Sequence, residues 1–505
     1  MRVWILTFEY SGVAKAGGLG EAVYGYASHL KNRGHDVHVV MPSHGARGEI
    51  LASYGSFSLY QRDVDGVKVI LVSNPVLDEP TIYADGLIEA KSALLSRAMG
   101  GVLNAVGSPD VIHANDWHAV PSALSLQCLT QGKSALIFHV HLYLGKWVGW
   151  DYLFRDCGLD PGCSLRGLKL GEAYARSGGV LELIAAQVAD RVVTVSKSYL
   201  EETIRPTLGW AAGDRLTFVY NGTNWSLTQL LSEVEHYHGH NLVTLYGGTK
   251  LPRRTLRRYF LTRALGDATP ERLDPAFSWA SRRVEPFASD GPLVLATGRA
   301  SWQKGFDQLL FASSILTEVI PNVKVIILLL SVRGEEGHLS WLLSEADRRP
   351  NVRVFVGHAR NIYALAHLAA DAFAVPSRWE PFGLTAIEAM AAGVPVASSW
   401  AGGLKETVVD LRNDSWNGTG YLVPPEQPME LARALASLLT ITAREDLVEA
   451  GRLEAVESFG LPKPQISGEE LRRRCIERAS KFTWSKSAEK MEQVYEEAVR
   501  RASGW

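Results

Sequence analysis

Short apolar runs alternate with helical patterns through this 505-residue sequence, and they restrict its fold more than any other feature. Runs of about five apolar residues predict buried strands, and apolar spacing between them predicts amphipathic helices. Strands that alternate with helices favour a parallel, doubly wound sheet. The strands predicted in the first half are residues 3–7, 37–41, 67–72, 111–114, 135–140 and 191–195. Those predicted in the second half are residues 293–297, 323–331, 352–356, 370–375 and 394–397.

An interruption of this alternation divides the chain into two α/β domains. We predict a first Rossmann-like domain over residues 1–289 and a second over residues 290–481. Residues 482–505 have the apolar spacing of an amphipathic helix, which we expect to cross back to the first domain. Ligands of such sheets bind at the carboxyl ends of the strands, so we expect the two domains to face a central cleft.

Two segments resist assignment. Residues 236–285, which we leave unplaced within the first domain, begin with His236, His238 and His240. A metal site is one interpretation of these histidines, but we favour a solvated loop because they alternate within a polar stretch. Residues 452–481 are charged and helix-prone, and their role stays open.

Composition excludes several classes of function. The chain has 52 Lys and Arg against 54 Asp and Glu, a net charge of −2, which gives no reason to expect nucleic acid or an acidic membrane as a partner. No apolar run reaches the ~18 residues that span a bilayer. The first residues look like a core strand rather than a signal peptide, because Glu9 interrupts them. We therefore expect a cytoplasmic protein, and the sequence does not indicate its oligomeric state.

The four cysteines, Cys128, Cys157, Cys163 and Cys475, lack the spacing of zinc or redox motifs. A bridge between Cys157 and Cys163 would suit a hyperthermophile, but we expect free buried thiols.

Residues 374–392 combine a buried strand, a polar turn and the start of a helix near Leu384. The first N–H groups of that helix, on Gly383, Leu384 and Thr385, form a site for phosphate at the positive end of the helix dipole. Glu380 and Glu388 flank them and can accept hydrogen bonds from sugar hydroxyls. A nucleotide sugar has this distribution of groups, whereas a solvated acidic pair is the simpler alternative.

Arg299 and Lys304 lie in the loop that follows the first strand of the second domain. Arginine binds two phosphate oxygens at once and lysine adds a point charge, so the pair suits a diphosphate. Two solvated charges are the alternative.

The first half has three candidate loops. A glycine loop from Lys15 to Gly20, which includes Gly17 and Gly18, follows the first strand and lets the backbone approach an anion closely. It is neither a Walker motif nor the dinucleotide fingerprint, and a tight turn is the alternative. Asp116, in the stretch 113–118, can bind sugar hydroxyls or cap a helix. His139 and His141 close another strand, and we expect their rings on opposite faces.

Taken in order, these motifs resemble those of glycogen and starch synthases, and we expect the archaeal type. The resemblance is carried by Lys15-x-Gly-Gly-Leu, Asp116-Trp-His, Asn221-Gly, Gly298-Arg with Lys304-Gly, and Glu380 with Glu388. It covers about residues 1–225 and 290–430, together with Phe482-Thr-Trp484 and its helix. It implies the GT-B architecture and transfer of glucose, with retention, from ADP-glucose or UDP-glucose to the 4-hydroxyl of an α-1,4-glucan.

The resemblance also implies roles. Lys15, Gly17, Gly18, Arg299 and Lys304 would contact the donor diphosphate; Gly383, Leu384 and Thr385 its distal phosphate; Glu380 the transferred glucose; and Glu388 the ribose. His141 would place its backbone carbonyl beside the anomeric carbon, Asp116 and Asn221 would border the glucose and the acceptor, and Glu9 would be a further carboxylate of the cleft. Thr223-Asn224 departs from the acid that commonly follows Asn-Gly in the family, so the acceptor is less defined than the donor.

Three rival interpretations stay open. A trehalose- or sucrose-forming synthase would share the donor chemistry, although Lys15-Ala-Gly-Gly-Leu favours the polymer synthase. A phosphorylase would need pyridoxal phosphate on a lysine, and a binding protein would need no catalytic charges. We expect no cofactor and no metal, because two cations can replace a metal at a diphosphate.

Overall fold

The computed structural model describes residues 1–84, 86–268, 285–332 and 334–504, and it divides into two compact units. The first unit comprises Met1–Gly222 with Thr483–Trp505, and the second comprises Thr223–Phe482. The boundary therefore falls at residue 222 rather than at the predicted residue 289.

A mostly parallel sheet forms the core of the first unit. The strands of this unit are β1 Arg2–Leu6, β2 Asp36–Pro42, β3 Glu49–Tyr54, β4 Phe57–Val64, β5 Val67–Ser73, β6 Val111–Asn115, β7 Ala135–Val140, β8 Ser164–Leu165, β9 Leu168–Lys169, β10 Arg191–Thr194 and β11 Leu216–Phe218. Of these, β8 and β9 form a small separate hairpin. The order in the large sheet is β11-β10-β7-β6-β1-β2-β5-β4-β3. Strands β3 and β4 pair antiparallel at one edge, where we had predicted no strand.

Helices connect these strands in the doubly wound pattern. They are α1 Gly18–Asn32, α2 Leu87–Val106, α3 Asp116–Leu129, α4 Leu170–Ser177, α5 Leu181–Val188, α6 Lys197–Tyr199 and α7 Arg205–Ala212. Short π-helical turns at Tyr152–Asp156 and Leu200–Ile204 add to them.

The second unit contains a six-stranded parallel sheet of order β14-β13-β12-β15-β16-β17. Its strands are β12 Leu293–Arg299, β13 Lys324–Leu330, β14 Val352–Val356, β15 Ala372–Val375, β16 Val396–Ser399 and β17 Gly420–Val423. Its helices are α8 Leu227–Tyr246, α9 Arg253–Thr262, α10 Phe306–Val319, α11 Glu336–Asp347, α12 Arg360–Ala369, α13 Leu384–Ala391, α14 Leu404–Thr407, α15 Pro428–Thr442, α16 Arg444–Glu449, α17 Leu453–Phe459 and α18 Gly468–Ala479. The prediction of two Rossmann-like sheets is confirmed.

Helices α8 and α9 explain why the predicted boundary was wrong. Arg257 of α9 is 1% exposed and pairs with Asp290, Asp371 and Asp446 at 3.0, 2.8 and 2.8 Å. A buried arginine needs these carboxylates, so α9 packs with the residues that provide them. The predicted histidine loop is helix α8, with His238 buried; residues 269–284 of the unplaced segment lie outside the described residues.

The final helix, α19 Trp484–Ser503, packs in the first unit against α1 and β7. Gly25 on α1 permits this contact, because a Cβ there would lie 2.2 Å from the Trp484 ring. Among the described residues, no helix is long and apolar enough to cross a membrane.

The cysteines differ from our expectation. Cys128 and Cys163 form a disulfide, whereas Cys157 and Cys475 are free and buried. Cys128 lies in α3 and Cys163 next to β8, so the bridge fastens the segment before β8 to a core helix. Spacing in the sequence could not reveal this pair, because the two residues are 35 positions apart.

Candidate active site

Two loops of the second unit meet at the carboxyl edge of its sheet. One follows β12 and carries Lys304, and the other follows the neighbouring strand β15 and carries Glu380. The Lys304 ammonium donates to Glu380 Oε2 at 2.6 Å, and Ser377 Oγ lies 3.1 Å from the same oxygen. Glu380 is only 7% exposed, so this ion pair is largely shielded from water.

Arg378 fastens the same two loops together, and the sequence analysis missed it. Its guanidinium donates to both oxygens of Asp307 at 2.9 and 2.7 Å and to the Trp302 carbonyl at 2.7 Å. It also lies 4.2 Å from the centroid of the Trp302 ring. Burial works against ionisation of Asp307, but the Arg378 hydrogen bonds hold the pKa of Asp307 below its usual value. The available signal was a cation two positions before Glu380 in the sequence.

Glycines allow these loops to approach one another. A Cβ on Gly305, whose φ is +65°, would lie 2.1 Å from the Pro376 carbonyl oxygen. A Cβ on Gly402 would lie 2.0 Å from the Glu380 carbonyl oxygen, which accepts a hydrogen bond from Gly403 N–H at 2.9 Å. The position of Glu380 thus depends on backbone contacts that no larger residue permits.

Helix α13 begins beside Glu380. Its N-cap is Gly383, at φ +97°, and no side chain among the described residues accepts a hydrogen bond there. The first N–H groups of a helix have no partner within the helix, so those of Leu384 and Thr385 are available to an anion. Glu388 lies one turn further on, half-buried.

Arg299 ends β12, half-buried, and its strand is adjacent to β15. Parallel neighbours end at the same edge, which places Arg299, Lys304, Glu380 and the α13 N-terminus at one side of one sheet. The second unit therefore brings together the residues that the sequence analysis grouped there.

In the first unit, Glu9 organises the glycine loop. Its Oε2 accepts the N–H groups of Ala16 and Gly17 at 2.7 and 2.6 Å, and Tyr83 donates its hydroxyl to Oε1 at 2.5 Å. Lys15 pairs with Glu21. The Gly17 N–H predicted for the donor is thus bound to a carboxylate of the protein itself, while Gly18 opens α1.

Asp116 holds the loop that follows β7. It has φ +57°, a left-handed conformation that Asp tolerates, at the sharp turn from β6 into α3. Its Oδ1 accepts the N–H groups of His141 and Leu142 at 2.7 and 3.0 Å. Burial raises the pKa of Asp116 to about 7, although these hydrogen bonds oppose the shift. Asp116 therefore orients His141, and it does not cap α3 with its side chain.

A buried polar network lies behind His141. Its ring bonds to Asn115 Oδ1 at 3.0 Å and stacks on the ring of His139, with 4.0 Å between centroids. His139 bonds to His113 at 3.0 Å, and His113 bonds to the Tyr495 hydroxyl of α19 at 2.7 Å.

The expectation of opposite faces for His139 and His141 was wrong, because residues two apart on a strand share a face. Burial lowers the pKa values of His113 and His141 to about 3, which favours uncharged rings.

Asn221 lies at the end of the first unit. It is 5% exposed, and its Oδ1 has no hydrogen-bond partner among the described residues. The next residue, Gly222, packs so closely on Thr483 that a Cβ would lie 2.3 Å from that backbone. In the part of the chain that the structure describes, no group of three or more His, Cys, Asp and Glu could hold a metal ion.

Comparisons with known proteins agree with this arrangement. The starch synthase catalytic domain family matches residues 2–217, and the glycosyl transferases group 1 family matches residues 277–454. The glycogen synthase of Geotalea daltonii is 27% identical over 98% of this chain and 98% of its own, and that of Halorhodospira halophila is 25% identical over 87% and 91%. The catalytic domain of starch synthase IV from Arabidopsis thaliana, solved with ADP and acarbose, superposes with a TM-score of 0.69 at 20% identity, covering 99% of both chains.

The two units, each built on a doubly wound parallel sheet, give the chain the GT-B fold of its structural neighbours. Residues 2–217 belong to the starch synthase catalytic domain family and residues 277–454 to the glycosyl transferases group 1 family. The chain is therefore a glycosyltransferase similar to glycogen and starch synthases.

Proposed function

We propose that this protein lengthens an α-1,4-glucan such as glycogen by transferring glucose, with retention, from ADP-glucose or UDP-glucose to the 4-hydroxyl at the non-reducing end. The observation that supports it most is the shielded Lys304–Glu380 pair beside the α13 N-terminus. A cation and free N–H groups suit a diphosphate, and a carboxylate next to them suits sugar hydroxyls.

We propose the donor roles that the resemblance implies, which are compatible with these positions. Arg299 and Lys304 hold the diphosphate, while Gly383, Leu384 and Thr385 give N–H groups to its distal phosphate. Glu380 binds hydroxyls of the transferred glucose and Glu388 binds the ribose. Lys15 and Gly17 join the phosphate contacts once their bonds to Glu21 and Glu9 are exchanged, and Gly18 joins them from the start of α1.

The reaction breaks the bond between the anomeric carbon and the diphosphate oxygen. Positive charge develops on the sugar as negative charge grows on the leaving group, which Arg299, Lys304 and the α13 N-terminus stabilise by preorganised electrostatics. The glucan 4-hydroxyl attacks from the side of departure and gives its proton to the leaving diphosphate, so configuration is retained. No covalent enzyme intermediate is needed.

The first unit provides the acceptor side. Asp116 fixes the backbone of His141, whose carbonyl we place beside the anomeric carbon, and Glu9 and Asn221 border the same region. The unpartnered Oδ1 of Asn221 supports a role as acceptor for a sugar hydroxyl. We propose no cofactor and no metal, because Arg299 and Lys304 of the second unit can neutralise the negative charge of the diphosphate.

We place the activity in the cytoplasm, where nucleotide sugars are made, with neither nucleic acid nor membrane as a partner. The Cys128–Cys163 disulfide is compatible with that compartment in hyperthermophiles, whose intracellular proteins contain such bridges. A trehalose- or sucrose-forming synthase is the alternative within the same class.

The test is incubation of the purified protein with ADP-glucose or UDP-glucose, each with glycogen, glucose 6-phosphate, fructose 6-phosphate or no acceptor. We expect glucose in the polymer and release of the matching nucleoside diphosphate only with glycogen. A soluble disaccharide product would identify the alternative, and no turnover with any pair would overturn the proposal. The ADP in the starch synthase IV structure favours ADP-glucose as the first donor to assay.

A further inference from the structure

Lys91 of α2 is fully buried, with none of its surface exposed. Its ammonium donates to the carbonyl oxygens of Glu79 and Thr81 at 2.5 and 2.8 Å and to His44 Nδ1 at 3.0 Å. These three acceptors match the three protons of an ammonium, and none of them carries a negative charge. Such a desolvated charge costs free energy that an apolar side chain of similar volume would not.

Through the two carbonyls, Lys91 holds the segment between β5 and α2. Residues 74–84 form this segment, and Tyr83 lies near its end. Tyr83 donates its hydroxyl to Glu9 Oε1 at 2.5 Å. The position of this hydroxyl therefore depends on a segment that the Lys91 ammonium fastens to α2.

Through His44, Lys91 also holds the other side of the same contact. An ammonium can only donate, so His44 Nδ1 accepts from Lys91 and the ring proton is on Nε2. His44 Nε2 donates to the Phe8 carbonyl at 3.0 Å, and Phe8 directly precedes Glu9. Burial and the charge of Lys91 lower the pKa of His44 to about 4, which favours the neutral ring that this arrangement needs.

Other titratable groups lie around the ammonium. Burial lowers the pKa of Lys91 to about 8, against the carboxylates of Glu79 and Asp78, which raise it. Asp78 is itself paired with Arg47 at 2.7 Å. On α3, which packs against α2, burial lowers the pKa of His118 to about 3. Between pH 7 and 9 Lys91 therefore changes from mostly charged to mostly neutral, while the neighbouring imidazoles stay neutral.

We propose that Lys91 is a positioning residue for the transfer reaction, whose ammonium fixes the Tyr83–Glu9 pair and thereby the glycine loop that bonds to Glu9. Lys91 itself contacts no substrate. Loss of one proton leaves two N–H donors for three acceptors, so either His44 or the segment that carries Tyr83 is released. This inference rests on the proposed function, in which Glu9 and the glycine loop belong to the site.

The first test compares Lys91→Met with Lys133→Met, which removes an exposed lysine from the turn before β7. We expect kcat at pH 7 to fall about tenfold in Lys91→Met, because small displacements at a site are costly, and to stay within about twofold of wild type in Lys133→Met. From pH 7 to 9, kcat of wild type and of Lys133→Met should fall about fivefold with a midpoint near 8, since the charged lysine is being lost. Lys91→Met should lack this fall.

The second test replaces His44 and leaves Lys91 in place. His44→Gln keeps an acceptor for Lys91 and a donor for the Phe8 carbonyl, so its kcat should stay within about twofold of wild type. His44→Leu loses both bonds and should lower kcat about fivefold. Thermal unfolding of every variant gives the folded fraction, and rates are compared per folded molecule.

Amide hydrogen exchange reports the position of the glycine loop without turnover. The N–H groups of Ala16 and Gly17 are bonded to Glu9, so their exchange at pH 7 should be at least about fivefold faster in Lys91→Met than in wild type or Lys133→Met.

Wild-type kcat in Lys91→Met, an alkaline fall near pH 8 that this variant keeps, or unchanged exchange at residues 16 and 17 would each overturn the inference. Equal rates in His44→Gln and His44→Leu would also contradict it. A wild-type protein that transfers glucose to no acceptor would instead overturn the proposed function, and the exchange measurement would still decide whether Lys91 positions the loop.

Discussion

The two units differ in what the edges of their sheets offer to a ligand. In the second unit, α13 begins without a side-chain cap and Arg299 and Lys304 lie at the same edge. In the first unit, buried carboxylates already accept the loop N–H groups, Glu9 at the glycine loop and Asp116 at the start of the loop that follows β7.

An edge with available N–H donors and cations suits an anion such as a diphosphate. In the first unit, the glycine loop has to exchange its bonds to Glu9 before its N–H groups can join the donor phosphates, while Asp116 fixes the backbone of His141 for the acceptor side. The two edges thus differ in how many N–H donors are available before a ligand binds.

The largest expected effect concerns the cations and carboxylate of the second unit. Arg299→Ala, Lys304→Ala and Glu380→Gln should each lower kcat at least about 10²-fold, because each contact strengthens as charge develops in the transition state. Arg348→Ala is the control, since it removes a cation of the same unit that is 72% exposed. Rates near wild type in the three site variants would show that the donor does not bind at this edge of the sheet.

The next largest effect concerns His113, a buried imidazole of the first unit, and the pH dependence of stability. Burial lowers the pKa of His113 to about 3, so the stability that its neutral form provides is present above pH 6.5 and is lost as pH falls toward 3. Replacing it by Asn should reduce the slope of unfolding free energy against pH between 6.5 and 4.5 by up to about 1.4 kcal/mol per pH unit. Urea unfolding across this range measures the slope.

His240→Asn, the same replacement at an exposed position on α8, is the matched control for the substitution itself. Equal slopes for wild type and His113→Asn would mean that His113 is not a buried neutral imidazole. Asp116 acts in the opposite direction: its pKa of about 7 makes its contribution fall as pH rises through 7, so its effect cancels in the comparison.

The next prediction concerns Arg378, which connects the loops that follow β12 and β15. Arg378→Lys keeps a charge but loses the paired bonds to Asp307, so we expect kcat to fall about tenfold. The pH–rate profile should keep its shape, because Arg378 positions Lys304 and Glu380 and transfers no proton. A fall in thermal stability with full activity per folded molecule would reduce Arg378 to a purely structural contact.

The smallest effect separates the two glutamates of the second unit. In the proposed donor complex Glu388 contacts the ribose, which does not change during the reaction, so Glu388→Gln should raise the donor KM about fivefold and leave kcat nearly as in wild type. Steady-state kinetics at saturating glycogen provides both constants. A kcat abolished in Glu388→Gln but preserved in Glu380→Gln would reverse the placement of the donor.

The sequence predicted the parallel strands well, since short apolar runs such as residues 323–331 have few other structures available to them. The prediction from sequence failed where a charged residue is buried by partners that lie far from it along the chain. Arg257 looked like part of a basic, solvated segment, yet three acids from elsewhere in the chain bury it in the second unit. A pattern that depends on residues 33, 114 and 189 positions away has no local signature.

The candidate site shows the same limit. Strand ends and glycines located Lys304, Glu380 and the α13 N-terminus, because these features are local. The bonds of Glu9 to the glycine loop and of Asp116 to His141 depend on how separate strand ends meet, and the sequence did not reveal them. The Cys128–Cys163 pair was missed for the same reason.

The most direct test of the difference between the two edges is amide hydrogen exchange with and without the nucleoside diphosphate released in the transfer assay. We predict the strongest slowing of exchange at residues 299–305 and 383–388 of the second unit. These segments contain Arg299, Lys304 and the first N–H groups of α13, which we expect to bind the diphosphate. Slowing confined to the first unit, with exchange at residues 383–388 unchanged, would contradict the account.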